Sequence, residues 1–304
     1  MMPRIDQSHP DNVDGPWFVD TRCIRCDAAR NWAPDLIGMD NSGRSVVIRQ
    51  PDDMEQKAAM WRAAFACPTR SIGNRVEPKG PAGVFPHLIT ERVFALGNNA
   101  LASFAAHSFL VSRPEGNLLI DSPRFTIRLA ASVDDLGGVA HVLLTHRDDV
   151  ADYDRWAERY NARVWIGESD ADAAPMATDL TAGNEPTPIA PGVLSIPTPG
   201  HTRGHVAYHI DDSLLFTGDT LHWNQRRAEL DVFPDQTFHS WEVLADTMDM
   251  LATLNVEWVF PGHGMWHHTD TAEWTRQMTA LGPTMRSKGQ RAWSQRPDAT
   301  YNWY

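Results

Sequence analysis

The feature that most constrains this chain is a set of four short turns, each following a predicted β-strand and each bearing histidine or aspartate. Their sequences are LLTHRDDVAD at 143–152, PTPGHTRGH at 197–205, LFTGDT at 215–220 and FPGHG at 260–264. A rigid sheet can aim short side chains from several strand ends at one point, which is why such loops carry chemistry. The pattern predicts a functional site at one edge of an α/β structure.

Imidazole nitrogens and carboxylate oxygens are the ligands that catalytic zinc, iron or manganese ions take in proteins. A single histidine at a strand end is more often a capped or surface residue, but four such turns in order indicate a metal site. The turns also contain glycines that permit tight turns and close approach of the backbone to an ion: Gly200, Gly218, Gly262 and Gly264.

The remaining pattern favours a layered α/β architecture. Strand-like segments occupy 89–96, 104–112 and 117–121, and strands and helices then alternate along the chain. A helix over about 238–254 carries an apolar stripe with a period of 3.6 residues.

A stretch rich in proline and glycine, EPKGPAGVFP at 77–86, divides the chain into two differently patterned parts. All three cysteines precede this stretch, and most of the thirteen histidines follow it. We therefore predict a small domain at 1–80 and a larger, metal-binding domain at 86–304.

The run TPGHT…LFTGDT…PGHG resembles the metallo-β-lactamase superfamily, especially its glyoxalase II-like branch, over about residues 88–265. The resemblance implies an αββα sandwich with metals at one edge of two sheets, and it assigns His201, Asp219 and His263 as ligands. Asp219 would be the bridging carboxylate. The first family motif, H-x-H-x-D-H, maps only in part, because the matching run here is HRDDVADY from His146 to Tyr153.

From this mapping we expect two ligand sets that share Asp219. The first ion would be held by His146, Asp148, His201 and Asp219. The second would be held by Asp152, Asp219 and His263, if the motif contains a two-residue insertion. Replacing imidazole by carboxylate hardens the ligand set, which moves the preference from zinc towards iron or manganese. Only one of the adjacent Asp148 and Asp149 is expected to point inward.

Candidates for the substrate pocket lie next to these ligands. They are Tyr153, which stands at the last position of the first motif, and His222 and Trp223, which follow the bridging aspartate. Core packing is the alternative role for each of them.

The cysteines form a second pattern, TRCIRCDAARNW at 21–32 followed by ACPTRSIG at 66–73. This resembles the bacterial single-cluster ferredoxin motif, in which four thiolates hold an iron–sulfur cluster. Cys23, Cys26 and Cys67 match, but Ala29 occupies the position of the remaining cysteine, and Asp27 is the nearest substitute. We expect a small ferredoxin-like α+β domain whose cluster is lost or labile. Fusion of the two modules resembles a known family whose first metal motif is close to H-R-D-D-V-A-D-H.

The predicted function is metal-dependent hydrolysis of an ester, a thioester or a lactone. Bound metal would create hydroxide at neutral pH, with Asp148 or Asp152 orienting the water. Two alternatives stay open: a non-haem di-iron oxidoreductase with a redox partner, and a pseudoenzyme that keeps the fold but binds little metal.

Composition limits the partners. The formal net charge of −12 argues against nucleic acid, and no apolar run is long enough to span a membrane. Three cysteines are too few for a disulfide framework, so the sequence predicts a cytoplasmic protein. The sequence predicts a small-molecule substrate and leaves the oligomeric state open.

Overall fold

The computed structural model describes residues 2–295. The N-terminal region is a small α+β unit with two short antiparallel strand pairs, β1 with β4 and β2 with β3. Its elements are β1 (Trp17–Val19), α1 (Ala28–Trp32), β2 (Ile37–Met39), β3 (Ser45–Val47), α2 (Met54–Ala66) and β4 (Ile72–Asn74).

The second region begins with a seven-stranded mixed sheet in the order β11-β10-β9-β8-β7-β6-β5. Its elements are β5 (His87–Leu88), β6 (Val93–Ala95), β7 (Phe109–Val111), β8 (Leu118–Ile120), α3 (Ile127–Asp134), β9 (His141–Leu143), α4 (Tyr153–Tyr160), β10 (Arg163–Gly167) and β11 (Asp179–Thr181).

A six-stranded sheet follows, in the order β12-β13-β14-β15-β18-β19. The elements of this half are β12 (Thr187–Ala190), β13 (Val193–Pro197), β14 (Val206–Ile210), β15 (Leu214–Gly218), β16 (His222–Asn224), β17 (Glu229–Asp231), α5 (Trp241–Leu251), β18 (Trp258–Pro261), β19 (His267–His268) and α6 (Thr271–Ser294).

The two sheets pack face to face, with helices on their outer faces. Successive residues of a strand point to opposite sides, so β15 presents Leu214 and Phe216 to the space between the sheets and Leu215 to helices α5 and α6. Between the sheets, the ring of Phe109 lies 5.6 Å from that of Phe216. Helices α3 and α4 pack on the first sheet through side chains such as Trp156. This confirms the predicted αββα sandwich.

The N-terminal region shares a core with the sandwich. One continuous cluster of buried apolar side chains joins residues of both, from Trp17 to Phe260. Trp32 of α1 makes edge contacts with Phe85 and Trp266, at centroid distances of 5.2 and 5.1 Å. The proline- and glycine-rich stretch at 77–86 therefore joins two closely packed units. The end of the predicted second domain, 296–304, lies outside the described residues.

Several predicted elements have shorter bounds in the structure. The strand predicted over 104–112 begins only at Phe109, since Phe104 and Ala105 adopt positive φ in a preceding loop. The helix predicted from 238 begins at Trp241, where the Ser240 side chain accepts a hydrogen bond from Val243 N–H. Among residues 2–295, no helix combines the length and apolar character that crossing a bilayer requires.

Candidate metal centre

The histidine- and aspartate-bearing turns meet at one edge of the two sheets. His146 follows β9, His201 lies between β13 and β14, Asp219 follows β15, and His263 follows β18. Their ligand atoms form two groups that share Asp219, and within each group all ligand atoms lie within 4.8 Å of one another. The strand ends thus bring together residues that are far apart in the sequence.

The first group consists of His146, His201 and Asp219. Nε2 of each histidine lies 3.8 Å from Asp219 Oδ2. Asp148 approaches from the open side, with Oδ2 3.9 Å from His146 Nε2 and 3.5 Å from His201 Nε2. Among the described residues, neither histidine Nε2 has a hydrogen-bond partner, so both nitrogens are available to a metal ion.

The orientation of His146 is set by its neighbours. The Thr145 backbone N–H and hydroxyl both donate to the carboxylate of Asp121, at 2.8 and 3.0 Å. The hydroxyl oxygen then accepts from His146 Nδ1–H, at 3.0 Å. Burial, followed by the charge of His201, holds the pKa of His146 well below its usual value. The ring is therefore neutral at pH 7, with the Nε2 lone pair directed into the site.

The second group consists of Asp149, Asp219 and His263. Asp219 Oδ1 lies 2.7 Å from His263 Nδ1, so the two oxygens of Asp219 face different groups. Burial alone would raise the pKa of Asp219, but His263, His146 and His201 outweigh it and hold that pKa below its usual value. Burial would lower the pKa of His263, but the charge of Asp219 and its hydrogen bond outweigh burial, so that pKa is raised. Asp219 is thus placed as the shared carboxylate.

Asp149 is the clearest sign that a cation belongs here. Its side chain is buried, and neither carboxylate oxygen has a hydrogen-bond partner among residues 2–295. Burial and then the charge of Asp219 raise its pKa well above the usual value. A buried carboxylate without a partner costs several kcal/mol. The residues present therefore fit a divalent cation.

Gly262 allows the last turn to approach these carboxylates. A Cβ at Gly262 would lie 2.8 Å from Asp149 Oδ2 and 2.9 Å from Asp219 Oδ1. Because such distances are too short for a carbon atom, any side chain at this position would push the carboxylates apart.

The expected role of Asp152 is not matched by its position. Asp152 precedes α4 and its Oδ2 accepts a hydrogen bond from Phe125 N–H at 2.8 Å, away from both groups. Asp149 takes the expected place beside Asp219 and His263. The turn over 148–151, with positive φ at Ala151, lets Asp148 and Asp149 reach the site from two sides. The expectation that only one of them points inward is therefore not met.

The remaining predicted pocket residues lie outside the cavity. The Tyr153 hydroxyl accepts a hydrogen bond from Met176 N–H at 3.0 Å. His222 stacks on Phe233 with ring centroids 4.0 Å apart, behind the cavity wall. Trp223 stacks on His267 at 3.5 Å.

A cavity of about 360 Å³ opens above the two groups. Its walls, beyond the ligand residues themselves, are Ala102, Ser103, Phe104, Phe233, Gln236 and Phe238. None of these wall residues was predicted to line a cavity, because the sequence pattern placed Phe104 in a strand and Phe238 at the start of a helix. The exposure of Phe238, at 63%, marks the wall in the folded structure and has no counterpart in the sequence.

His205 supports the site without belonging to either group. Its Nε2 accepts a hydrogen bond from Asp219 N–H at 3.2 Å, and its Nδ1 lies 2.8 Å from the Thr198 hydroxyl. Burial, together with the charge of His201, lowers the pKa of His205 to about 3. A neutral ring can therefore hold the backbone of the shared carboxylate.

The three cysteines lie in the N-terminal region, and none of them is joined in a disulfide within the described residues. Cys23 Sγ accepts from Ser45 N–H, and Cys67 Sγ accepts from Ser71 N–H, each at 3.3 Å. Burial, followed by the charges of Cys67 and Cys23, raises the pKa of Cys26 well above its usual value.

The motif position that lacks a cysteine, Ala29, is not replaced by another ligand. Ala29, which stands there, is buried in α1, and Asp27 pairs with Arg30. The residues present do not fit a cluster held by four thiolates.

Two families match this chain. Residues 93–280 match the family described as "Metallo-beta-lactamase superfamily", and residues 19–74 match "4Fe-4S single cluster domain of Ferredoxin I". Both parts of the resemblance seen in the sequence are thereby confirmed.

Similar proteins cover different shares of the chain. A "Hydroxyacylglutathione hydrolase" of Fuscovulum blasticum is 34% identical over 107 residues, which is 34% of this chain and 42% of the relative. The "Uncharacterized protein YobT" of Bacillus subtilis is 28% identical over 200 residues, 54% of this chain and 84% of the relative. Among solved structures, ETHE1 from Myxococcus xanthus is 20% identical, covers 66% of this chain and 87% of its own, and has a TM-score of 0.47. The chain spans less than half of the first curated relatives that it matches.

Proposed function

The chain belongs to the metallo-beta-lactamase superfamily, and from that premise we propose that it is a metal-dependent hydrolase of an uncharged ester, thioester or lactone. One observation carries the proposal: buried ligand atoms that have no hydrogen-bond partner within residues 2–295 converge around Asp219. They include both oxygens of Asp149 and Nε2 of His146 and His201.

The residues present fit one or two divalent cations. His146, His201 and Asp219, with Asp148 at the open side, would hold the first. Asp149, Asp219 and His263 would hold the second. Its two carboxylates and single imidazole favour a harder ion such as iron or manganese over zinc. When bound, such an ion lowers the pKa of a coordinated water from 15.7 towards about 7 and polarises the attacked carbonyl.

The protein's own groups then orient the reactants. Asp148, whose side chain is 49% exposed, borders both the cavity and the first group. We assign to its carboxylate the role of orienting the attacking water and accepting its proton. Asp219, held by His205 and His263, keeps the two groups at a fixed separation.

The cavity wall favours a substrate without remote charge. Three phenylalanine rings, Phe104, Phe233 and Phe238, contribute apolar surface. Among the described lining residues there is no lysine or arginine that could pair with a substrate carboxylate. The nearby Arg147 pairs with Asp172, at 2.9 Å. Glutathione carries two carboxylates, so a glutathione thioester would leave both without a protein cation in this wall.

The test is a panel of substrates given to metal-loaded and metal-free protein. An uncharged aryl ester, an uncharged thioester and a lactone are compared with an hydroxyacylglutathione. We expect hydrolysis that a chelator abolishes, and a kcat/KM for at least one uncharged substrate about tenfold above that for the glutathione thioester. No chelator-sensitive turnover of any substrate would contradict the hydrolase. A preference for the glutathione thioester would contradict the substrate class only.

The role of the wall is tested by Phe238→Ala. Removing the ring loses about 1–3 kcal/mol of apolar contact, so KM should rise about tenfold with kcat little changed. Ile127→Ala, which removes an exposed side chain outside the cavity, is the control. Equal kinetics of the two variants would contradict the assigned wall.

A second candidate is a non-haem di-iron oxidoreductase. The carboxylate-rich second group and the match of residues 19–74 to an iron–sulfur family favour it. The three cysteines count against it, since they do not complete a four-thiolate cluster. Iron together with oxygen-dependent chemistry would support this candidate, whereas a metal-free protein with no turnover would support the pseudoenzyme.

A further inference from the structure

We propose that Asn31, in the cysteine-bearing N-terminal region, is a positioning residue for the turn that carries His263. The inference rests on the metal site of the proposed function. It assigns to the N-terminal region a role that needs no iron–sulfur cluster.

The contact is a pair of interactions from one buried side chain. Asn31 Nδ2 donates a hydrogen bond to Gly264 O at 3.0 Å and lies 3.3 Å from His107 Nε2. All three residues are buried. His107 Nε2 also lies 3.1 Å from Gly264 O, so it either accepts from Asn31 or, as an N–H group, donates to Gly264 O. Gly264 O can accept from Asn31 in both tautomers, because a carbonyl oxygen has two lone pairs. Asn31 and Gly264 are 233 positions apart in the sequence, and only the packing of the two regions joins them.

The peptides on both sides of His263 are tied down. Before it, Gly262 O accepts from His107 N–H at 2.6 Å, and Gly262 N–H donates to Gly218 O at 2.8 Å. After it, Gly264 O accepts from Asn31 at 3.0 Å and lies 3.1 Å from His107 Nε2. The contacts with His107 and Gly218 come from within the sandwich, whereas the bond from Asn31 comes from the other region. The N-terminal region therefore supplies part of the support that directs the His263 ring towards Asp219.

The helix that bears Asn31 is itself well anchored. Helix α1 begins directly after the cysteine pair, and Ala28 N–H donates to Cys26 O at 2.9 Å. Next to Asn31, Trp32 packs its ring edge against Trp266, which follows the same metal-binding turn. The helix segment that would present a cluster ligand at Ala29 instead presents Asn31 to the metal-binding turn two residues later.

A positioning role differs from a merely structural one in what its loss changes. Side chains that support metal ligands typically alter metal affinity about 10- to 100-fold when removed. A buried amide that only satisfies a carbonyl would lower stability and leave the affinity of the folded site unchanged. Asn12 offers the matched comparison, since its amide also bridges backbone groups within the N-terminal region, at His9, Val19 and Val47.

The experiment is a zinc titration of the metal-free, full-length protein, read by competition with a fluorescent chelator. The variants are Asn31→Ala, the shape-matched Asn31→Asp, and Asn12→Ala as the control; His263→Ala identifies which binding step belongs to the His263 group. We expect both Asn31 variants to lower the zinc affinity of the His263 group about 10- to 100-fold. The zinc affinity of the group that contains His146 and His201 should stay within about twofold of the wild type. Asn12→Ala should lower the melting temperature without changing either step. Amide hydrogen exchange over 262–264 should be faster in the metal-free Asn31 variants.

Two results would overturn the inference. Zinc affinity and exchange like those of the wild type in both Asn31 variants would make Asn31 a structural residue only. Loss of affinity of the same size in Asn12→Ala would show that general destabilisation is the cause. If wild-type protein has no binding step that His263→Ala removes, the second group of the proposed function fails as well. A failure confined to the Asn31 variants leaves the proposed function intact.

Discussion

Two regions of this chain carry residues that bind metals in other proteins: the edge of the two sheets and the cysteine-bearing N-terminal region. At the sheet edge, buried ligand atoms of Asp149, His146 and His201 have no hydrogen-bond partner among the described residues. In the N-terminal region, Cys23 and Cys67 already accept backbone N–H groups, and Ala29 fills a ligand position with a methyl group.

The two regions therefore differ in whether their potential ligand atoms still lack partners in the folded protein. Burying polar atoms without partners is costly unless something completes them, so the sheet edge indicates a bound cation. Buried thiols behave as small apolar groups and pack without a metal. The N-terminal region contributes to the metal site through Asn31 and not through its cysteines. Substitutions in the two regions test this difference, and those with the largest expected effect come first.

The largest effect is expected from Asp219→Ala. Asp219 belongs to both groups, so its loss should remove the metal from both and lower kcat/KM by about 10³-fold or more, equivalent to several kcal/mol. Metal content by elemental analysis and turnover of the best uncharged ester measure this. If the variant keeps its full metal content, Asp219 is not the shared ligand.

An intermediate effect distinguishes two aspartates that lie three positions apart. Asp149→Asn should weaken metal binding at the second group by about 100-fold, the upper end for neighbours of a metal. Asp152→Asn should cost about 1 kcal/mol of unfolding free energy, because a neutral amide oxygen is a weaker acceptor for Phe125 N–H than the carboxylate. Its metal content should be unchanged. If Asp152→Asn loses metal and Asp149→Asn keeps it, Asp152 is the ligand, as expected from the sequence.

The same Asp149→Asn variant should be more stable than the wild type when both are metal-free at pH 7. Burial raises the pKa of Asp149 in the folded protein above its unfolded value, near 3.9. The wild type therefore loses stability relative to the variant as the pH rises above about 4. Below that pH the carboxyl is protonated in both states and the difference disappears. Denaturant unfolding of both proteins at pH 4 and pH 7 measures the difference in their free energy of unfolding. If this difference does not grow between pH 4 and pH 7, the assigned burial of Asp149 is contradicted.

The smallest effect is expected from Cys67→Ser. The thiol is buried beside Thr69 and Ser71, so the change should cost about 0.5–3 kcal/mol of stability. Metal content at the sheet edge and kcat/KM should stay within about twofold of the wild type. Simultaneous loss of iron, acid-labile sulfide and activity would show that the cysteines hold a working cluster, and the comparison would fail.

Much of the sandwich was predictable because its elements have strong local signals. The strand predicted over 117–121 lies at Leu118–Ile120, and the helix predicted over about 238–254 lies at Trp241–Leu251, because apolar patterning marks both in the sequence. The cavity wall was not predicted, because the boundaries of two predicted elements were wrong. Phe104 was placed in a strand and Phe238 in a helix, whereas both lie in loops whose backbone is set by tertiary contacts and capping.

The sequence by itself predicted the sandwich, through its resemblance to the metallo-β-lactamase superfamily, and the edge at which His146, His201, Asp219 and His263 meet. The edge was predictable because each of these residues follows a strand, and a sheet can aim side chains from several strand ends at one point. Only the tertiary structure decided between Asp149 and Asp152, since the path of an irregular turn depends on what packs around it. Only the tertiary structure likewise revealed Asn31 beside Gly264, because no local pattern records a contact across 233 positions.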